Sequence, residues 1–230
     1  MITLEEVTKI YPLGTGSSVT ALKDVNLEIS QGEFVLVVGR SGSGKTTLLN
    51  LAGGLTQPTS GKVVIDGTNL WDLTDQQQAS LRSQRIGFIF QFPSLLPTLT
   101  VLDNVILPTI FNSKQEAVRT QERATQLLEK VGLSDKLTAY PRQLSAGQQQ
   151  RVVIARALMN EPLVMLADEP TSNLDEKTEF EIMALFRDLH ENMGITIVMV
   201  THMRQLVSYG THAVELANGQ IVNGHVKTQG

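Results

Sequence analysis

Phe34-Val35-Leu36-Val37-Val38-Gly39-Arg40-Ser41-Gly42-Ser43-Gly44-Lys45-Thr46-Thr47 runs from an apolar strand pattern into a glycine-rich loop. The spacing predicts a helix over 45–51 directly behind it. Residues 39–46 fit G-x-x-x-x-G-K-[ST] in full. Gly39, Gly42 and Gly44 let the backbone bend and come close to a ligand, where a Cβ would clash or forbid the required φ. Successive N–H groups then point inward and form an anion nest at a helix N-terminus. The pattern implies a nucleoside triphosphate, with Lys45 reaching the β- and γ-phosphates and the Thr46 hydroxyl on Mg²⁺. A glycine-rich turn that binds nothing would not require a strand before it and a helix after it.

Length and composition bound the rest. A chain of 230 residues suits one large domain, or one core with a satellite. Apolar content of 41% and charged content of 18% are those of an ordinary globule. The sequence has no run of 18 apolar residues, so no membrane span is expected. Met1-Ile2-Thr3-Leu4-Glu5-Glu6 has neither a basic start nor an apolar run, so no signal peptide is expected. Cysteine is absent, which excludes disulfides and thiolate metal sites. A formal net charge of −4 argues against a nucleic-acid partner. The expected setting is the cytoplasm.

Apolar–polar alternation predicts antiparallel strands over 2–11 and 19–30, with a turn at Gly14–Ser18, and a third over 61–67. Arg85–Phe90 reads as a buried strand. From about Pro93 to Asn160 the pattern is helical. Leu127, Leu128 and Val131 share one face of a helix over 114–131, and Gly132 suits its C-terminal end. A second helix is expected over 146–159. Strands at 163–167 and 195–200 enclose a helix at 176–192, and a short helix follows from about 203. Asn218-Gly219 predicts a closing hairpin between 212–217 and 220–222, and Val226–Gly230 is expected to be disordered. Strands alternating with helices make an α/β sheet domain with a helical insertion in its middle third.

Two further stretches carry chemistry. Leu163-Val164-Met165-Leu166-Ala167-Asp168-Glu169 is an apolar strand that ends in two carboxylates. Parallel-sheet logic brings that end close to the phosphate loop. Asp168 would hold Mg²⁺ through water, and Glu169 would polarise an attacking water as general base. The competing reading is an acidic helix start. Leu144-Ser145-Ala146-Gly147-Gln148 is a serine N-cap and a small first turn, which is a second anion-binding helix start. One triphosphate does not need two such sites, so this one is expected to serve the nucleotide of a second copy.

Here the sequence resembles the ATP-binding cassette (ABC) ATPases. Leu144–Gln148 matches their LSGGQ signature at four of five positions, with Ala146 in place of a glycine. The resemblance covers nearly the whole chain. It implies an α/β P-loop NTPase fold with a RecA-like mixed-sheet core, an antiparallel β subdomain and a helical insertion. It further implies one ABC ATPase domain over 1–230, with 1–91 and 161–230 as nucleotide-binding core and about 92–160 as helical subdomain. Tyr11 corresponds to an aromatic that stacks on adenine. Gln91 corresponds to a glutamine that binds Mg²⁺ and senses a membrane partner. Ser172-Asn173-Leu174-Asp175 resembles the D-loop, and His202 the switch histidine on the γ-phosphate. "GRSGSGKTTLLNLAGGL", "LSAGQQQRVVIARAL" and "ADEPTSNLD" look like the lipoprotein-releasing and macrolide-export branch. Ser172 and Met203 depart from that branch, where Gly and Asp are usual.

The resemblance thus implies an ATPase whose two copies close around two ATP molecules. Gly39, Ser41, Gly42, Ser43, Gly44, Lys45, Thr46 and Thr47 would bind nucleotide on one chain, and Ser145, Gly147 and Gln148 on the other. Lys45, Gln91, Glu169 and His202 would be catalytic, and Thr46, Gln91 and Asp168 would hold the metal. The partner would be a separate integral-membrane permease, with the ATPase peripheral on the inner face of the membrane. Two rivals are an ABC ATPase acting as a cell-division or assembly scaffold, and a small-molecule kinase. The kinase has no use for Leu144–Gln148 or His202.

Overall fold

The computed structural model describes residues 1–14, 16–111 and 117–227. In chain order the strands are β1 (Ile2–Pro12), β2 (Ser18–Ile29), β3 (Phe34–Val38), β4 (Ser60–Ile65), β5 (Thr68–Asn69), β6 (Ile86–Ile89), β7 (Val164–Asp168), β8 (Thr196–Thr201), β9 (His212–Ala217) and β10 (Gln220–Lys227). The α-helices are α1 (Lys45–Ala52), α2 (Asp75–Arg85), α3 (Val101–Ile106), α4 (Ala117–Lys130), α5 (Ala146–Ala157) and α6 (Glu176–Met193).

The strands form two sheets. One is four-stranded in the order β2-β1-β4-β5, with antiparallel pairing throughout. The other is six-stranded in the order β10-β9-β3-β8-β7-β6. It is mixed: β9, β3, β8, β7 and β6 run parallel, and β10 pairs antiparallel to β9.

Period-2 geometry explains why β3, β7 and β8 read as unbroken apolar runs, because both faces of the sheet are covered. Phe34, Leu36, Met165, Ala167, Ile197 and Met199 point to one side, into a core shared with α3, α4, α5 and α6. Val35, Val37, Val164, Leu166, Val198 and Val200 point to the other side, packed with Leu48, Leu49 and the antiparallel sheet.

Three expectations are corrected. β6 ends at Ile89, and Phe90 is 43% exposed rather than buried. It stacks on Phe88 at 5.8 Å, so its ring finds an aromatic partner at the surface instead of the core. Val226 and Lys227 belong to β10, held by pairing with Ala213 and His212. Residues 228–230, residues 114–116 of the helix expected over 114–131, and Thr15 of the first turn lie outside the described residues. Finally, α2 had no counterpart in the sequence reading. Its start is a capping box between Thr74 and Gln77.

The closing hairpin follows its turn chemistry. Asn218 and Gly219 both have positive φ, 50° and 75°, as a type I′ turn demands.

The loop after β6 is held by two side chains. Asn104 is fully buried on α3. Its amide donates to the carbonyls of Leu96, Leu99 and Thr100, and its Oδ1 accepts from the Leu96 N–H at 2.8 Å. Arg156, near the end of α5, donates to the Pro93 and Ser94 carbonyls and to Ser94 Oγ. Ser94 has φ 41°, a strained value for a residue with a Cβ.

Asn104→Leu leaves the Leu96 N–H and the Leu99 carbonyl without their side-chain partner, while the Leu96 and Thr100 carbonyls keep the Leu99 and residue-104 N–H groups. We expect a loss of about 2–4 kcal/mol in unfolding free energy, since each orphaned group costs about 1–3 kcal/mol and relaxation recovers part. Urea titration checks it, and an unchanged midpoint would contradict the assignment.

Candidate functional site

The parallel register aligns the ends of three strands. Val38 pairs with Thr201, and Val200 with Asp168, so β3, β8 and β7 finish on one edge with β8 in the middle. The phosphate loop leaves β3 there, His202 follows β8, and Asp168-Glu169 ends β7.

The loop itself is built by glycine. Gly42 and Gly44 have φ of 76° and 104°. A Cβ on Gly39 would lie 2.3 Å from the Leu216 carbonyl oxygen. Gly44 occupies the N-cap of α1, and no side chain caps that helix, so its first-turn N–H groups face the adjoining cavity. This cavity, about 590 Å³, is lined by Ser41, Gly42, Gly44, Lys45, Thr46, Thr47, Gln91, Asp168 and Glu169, together with Val19, Thr20 and Ala21 of β2. A second cavity of about 700 Å³, which shares Ser41, Gly42 and Asn218 with the first, is lined also by Gly39, Ser43, His202, Arg204 and Glu215 among others.

The charged groups form one connected set. Lys45 is 5% exposed, and its ammonium donates to the Gly39 and Arg40 carbonyls at 2.9 and 3.1 Å. It lies 3.6 Å from Glu169 Oε1. The other Glu169 oxygen is 2.9 Å from His202 Nδ1. Glu169 has φ 44°, and its N–H donates to the Val200 carbonyl at 3.0 Å. That kink ends β7 and turns the carboxylate toward β8, a bend held only because neighbouring contacts over-determine it. The Thr46 hydroxyl donates to Asp168 Oδ1 at 3.2 Å. Burial raises the Asp168 carboxyl above its ordinary pKa and the Glu169 charge adds to this, while the Thr46 hydrogen bond and Lys45 oppose it.

Not every candidate residue joins this set. Tyr11 lies outside both cavity linings. It sits in β1 opposite Val19, which does line the first cavity, and the Lys9 ammonium lies over its ring at 4.9 Å. Ser145, Gly147 and Gln148 are also absent from both linings. Ser145 caps α5, accepting from the Gln148 N–H, and its own N–H donates to Gln148 Oε1. A Cβ on Gly147 would meet Thr178 Cγ2 at 2.4 Å, so glycine there lets α5 approach the start of α6. Ala146 opens α5 with ordinary helical φ, so its methyl is accommodated.

Residues 22–172 match the family model for ABC transporters. The chain belongs to the ABC transporter family. It is 48% identical to the macrolide export ATP-binding/permease protein MacB of Rhodopirellula baltica, over 96% of this chain but 32% of that protein. It is 42% identical to the lipoprotein-releasing system ATP-binding protein LolD 1 of Chlorobium chlorochromatii, covering 96% of this chain and 90% of the relative. The dimeric structure of ATP-binding cassette MJ0796 of Methanocaldococcus jannaschii, in a post-hydrolysis state bound to ADP and Pi, superimposes with TM-score 0.90 at 43% identity over the full length of both chains. The chain is therefore an ATP-binding, ATP-hydrolysing cassette of an ABC transporter, with the P-loop NTPase fold.

Asp168 supplies a test of the site's electrostatics. Its raised pKa means the folded chain binds that proton more tightly than the unfolded chain. Its contribution to stability is present at low pH and is lost as pH rises through the folded value. Asp168→Asn should therefore raise the melting temperature of the nucleotide-free chain at pH 7, with the gain shrinking toward the ordinary aspartate range. A lower melting temperature at pH 7 would show that the carboxylate is net stabilising.

Proposed function

We propose that the Lys45–Glu169–His202 cluster hydrolyses ATP at a site completed by a second copy of this chain, and that this drives a separate membrane permease. The observation that carries the reading is Glu169, held between Lys45 and His202 at the mouth of the phosphate loop. In this reading the first-turn N–H groups of α1 and Lys45 bind the β- and γ-phosphates. Glu169 accepts the proton of the attacking water, and His202 donates a hydrogen bond to the γ-phosphate as charge develops there. Tyr11 lies beside the adenine.

Thr46, Asp168 and Gln91 fit Mg²⁺. They offer a hydroxyl, a carboxylate and an amide oxygen, a hard-donor set. Among the described residues no cluster of three or more His, Cys, Asp or Glu could hold a metal. That agrees with an ion bound by one carboxylate plus phosphate oxygens. The burial that disfavours the Asp168 charge is also what a cation there would relieve. When bound there, Mg²⁺ would supply positive charge that offsets the charge developing on the phosphates.

The two-copy site rests on Ser145, Gly147 and Gln148. They build a capped helix start that lines neither cavity of its own chain, and a dimeric cassette is 43% identical. The domain reading is one ABC ATPase unit over 1–230, with 1–91 and 161–230 as nucleotide-binding core and 92–160 as helical subdomain. Among the described residues no helix is long and apolar enough to cross a membrane, which favours peripheral attachment through a permease. Beside Gln91 lies an apolar surface. Phe92 is 67% exposed, and Phe88 lines two shallow cavities of about 540 and 320 Å³. A cytoplasmic segment of the permease would seat there. The branch suggests lipoprotein release, export or mechanical work across the bilayer. A cell-division or assembly scaffold is the second reading.

Glu169→Gln keeps side-chain shape and removes basicity. Light scattering should show it largely monomeric without nucleotide and shifted toward dimer by ATP but not ADP. Adding Ser145→Arg should block the shift, since a bulky cation opposes the helix dipole and fills the γ-phosphate position. ATP-driven dimers of the double variant would refute the role of Leu144–Gln148.

A further inference from the structure

Glu179, on α6, is 3% exposed, and the reaction above makes no use of it. Burying a carboxyl is costly unless it is well bonded. Its bonds leave α6 in two directions. Oε2 accepts from the Thr171 hydroxyl at 3.1 Å, and Oε1 from the Gln205 amide at 3.4 Å. Thr171 stands two residues past Glu169, and Gln205 three past His202.

Short-range hydrogen bonds order both segments: one reaches the Glu169 carbonyl directly, and the others hold the residues flanking His202. The Ser172 N–H donates to the Glu169 carbonyl, and the Leu174 N–H to that of Thr171. On the other side, the Met203 N–H donates to Thr201 Oγ1, and the Leu206 N–H to the Met203 carbonyl. One buried side chain on a third element therefore bridges the two segments whose leading residues, Glu169 and His202, meet at 2.9 Å. Glu176, also in the first turn of α6, is exposed, so support of the helix dipole does not require a buried acid.

We propose that Glu179 is a positioning residue: it ties the turn after Glu169 to the turn after His202 and so fixes the Glu169–His202 contact. This rests on the reading of Glu169 and His202 as the hydrolytic pair.

The test uses Glu179→Leu, which breaks both bonds, and Glu179→Gln, whose amide oxygen can accept from Gln205 while its N–H donates to the Thr171 hydroxyl, which accepts instead of donating. Thr171→Val and Gln205→Leu each break one side and keep the test open if Glu179→Leu does not fold. Three quantities are read on the full chain: single-turnover hydrolysis, ATP affinity, and the ring ¹⁵N signal of His202, one of four histidines. Glu179→Leu should slow hydrolysis about ten- to hundredfold, the scale of a displaced catalytic group. ATP affinity should stay within about twofold, since the pair acts in the transition state. The His202 signal should move in Glu179→Leu and in both one-sided variants, and stay in place in Glu179→Gln, which keeps hydrolysis within about threefold of wild type.

Glu169→Gln serves as the control. If it hydrolyses ATP normally, the reading of Glu169 falls and the proposal with it. If it is inactive while Glu179→Leu and the one-sided variants show normal rates and an unmoved His202 signal, the bridge alone is overturned. Equal losses of rate and affinity, or Glu179→Gln as damaged as Glu179→Leu, would reduce Glu179 to a structural support and also overturn it.

Discussion

The shared edge of β3, β8 and β7 is the constraint on which the site depends. Pairing of Val38 with Thr201 and of Val200 with Asp168 sets three chain segments side by side where they leave the sheet. No slip is tolerated. Period-2 geometry would turn Val198 and Val200 from one core to the other, and each buried side chain of this size contributes about 1.5–3 kcal/mol. The same hydrophobic term that builds the sheet therefore fixes the distance from the phosphate loop to Glu169 and His202.

Regular structure brings the segments together but does not aim the side chains. That falls to local irregularity. Glu169 takes a left-handed backbone conformation, and the phosphate loop needs glycines at Gly42 and Gly44. The loop past Gln91 carries strain at Ser94. Two of these irregularities are secured by a polar side chain from a different element: Glu179 beyond Glu169, and Arg156 and Asn104 beyond Gln91. The Thr171–Glu179 bond is buried, where an unmade bond is costly, so it acts as a rigid spacer. Burial also lowers the Arg156 guanidinium pKa, a sign of how far it is withdrawn from water.

The two carboxylates at a strand end, the phosphate loop and most of the order of strands and helices were legible because each is a local pattern. The closing hairpin was legible for the same reason, since Asn218-Gly219 supports few other turns. The start of α2 carried a legible signal as well. Thr74 and Gln77 stand at capping-box spacing, but the helix behind them is polar, so no apolar stripe drew attention to it. Phe90 misled because an apolar residue next to a strand is ordinarily core, whereas this one stacks outside it. Asn104, Arg156 and Glu179 were illegible for a different reason. Their partners lie at long range or across elements, and no spacing in the sequence encodes a hydrogen bond that only the folded chain creates.

In the proposed reaction Glu169 and His202, in contact at 2.9 Å, act as one unit rather than as two independent contributors. Single-turnover hydrolysis by Glu169→Asp, His202→Ala and the double variant tests that directly. A unit predicts strong non-additivity, with the double variant no slower than the slower single variant, because either change already breaks the contact at 2.9 Å. Losses that multiply in the double variant would contradict it, and would show that the two residues act on ATP separately.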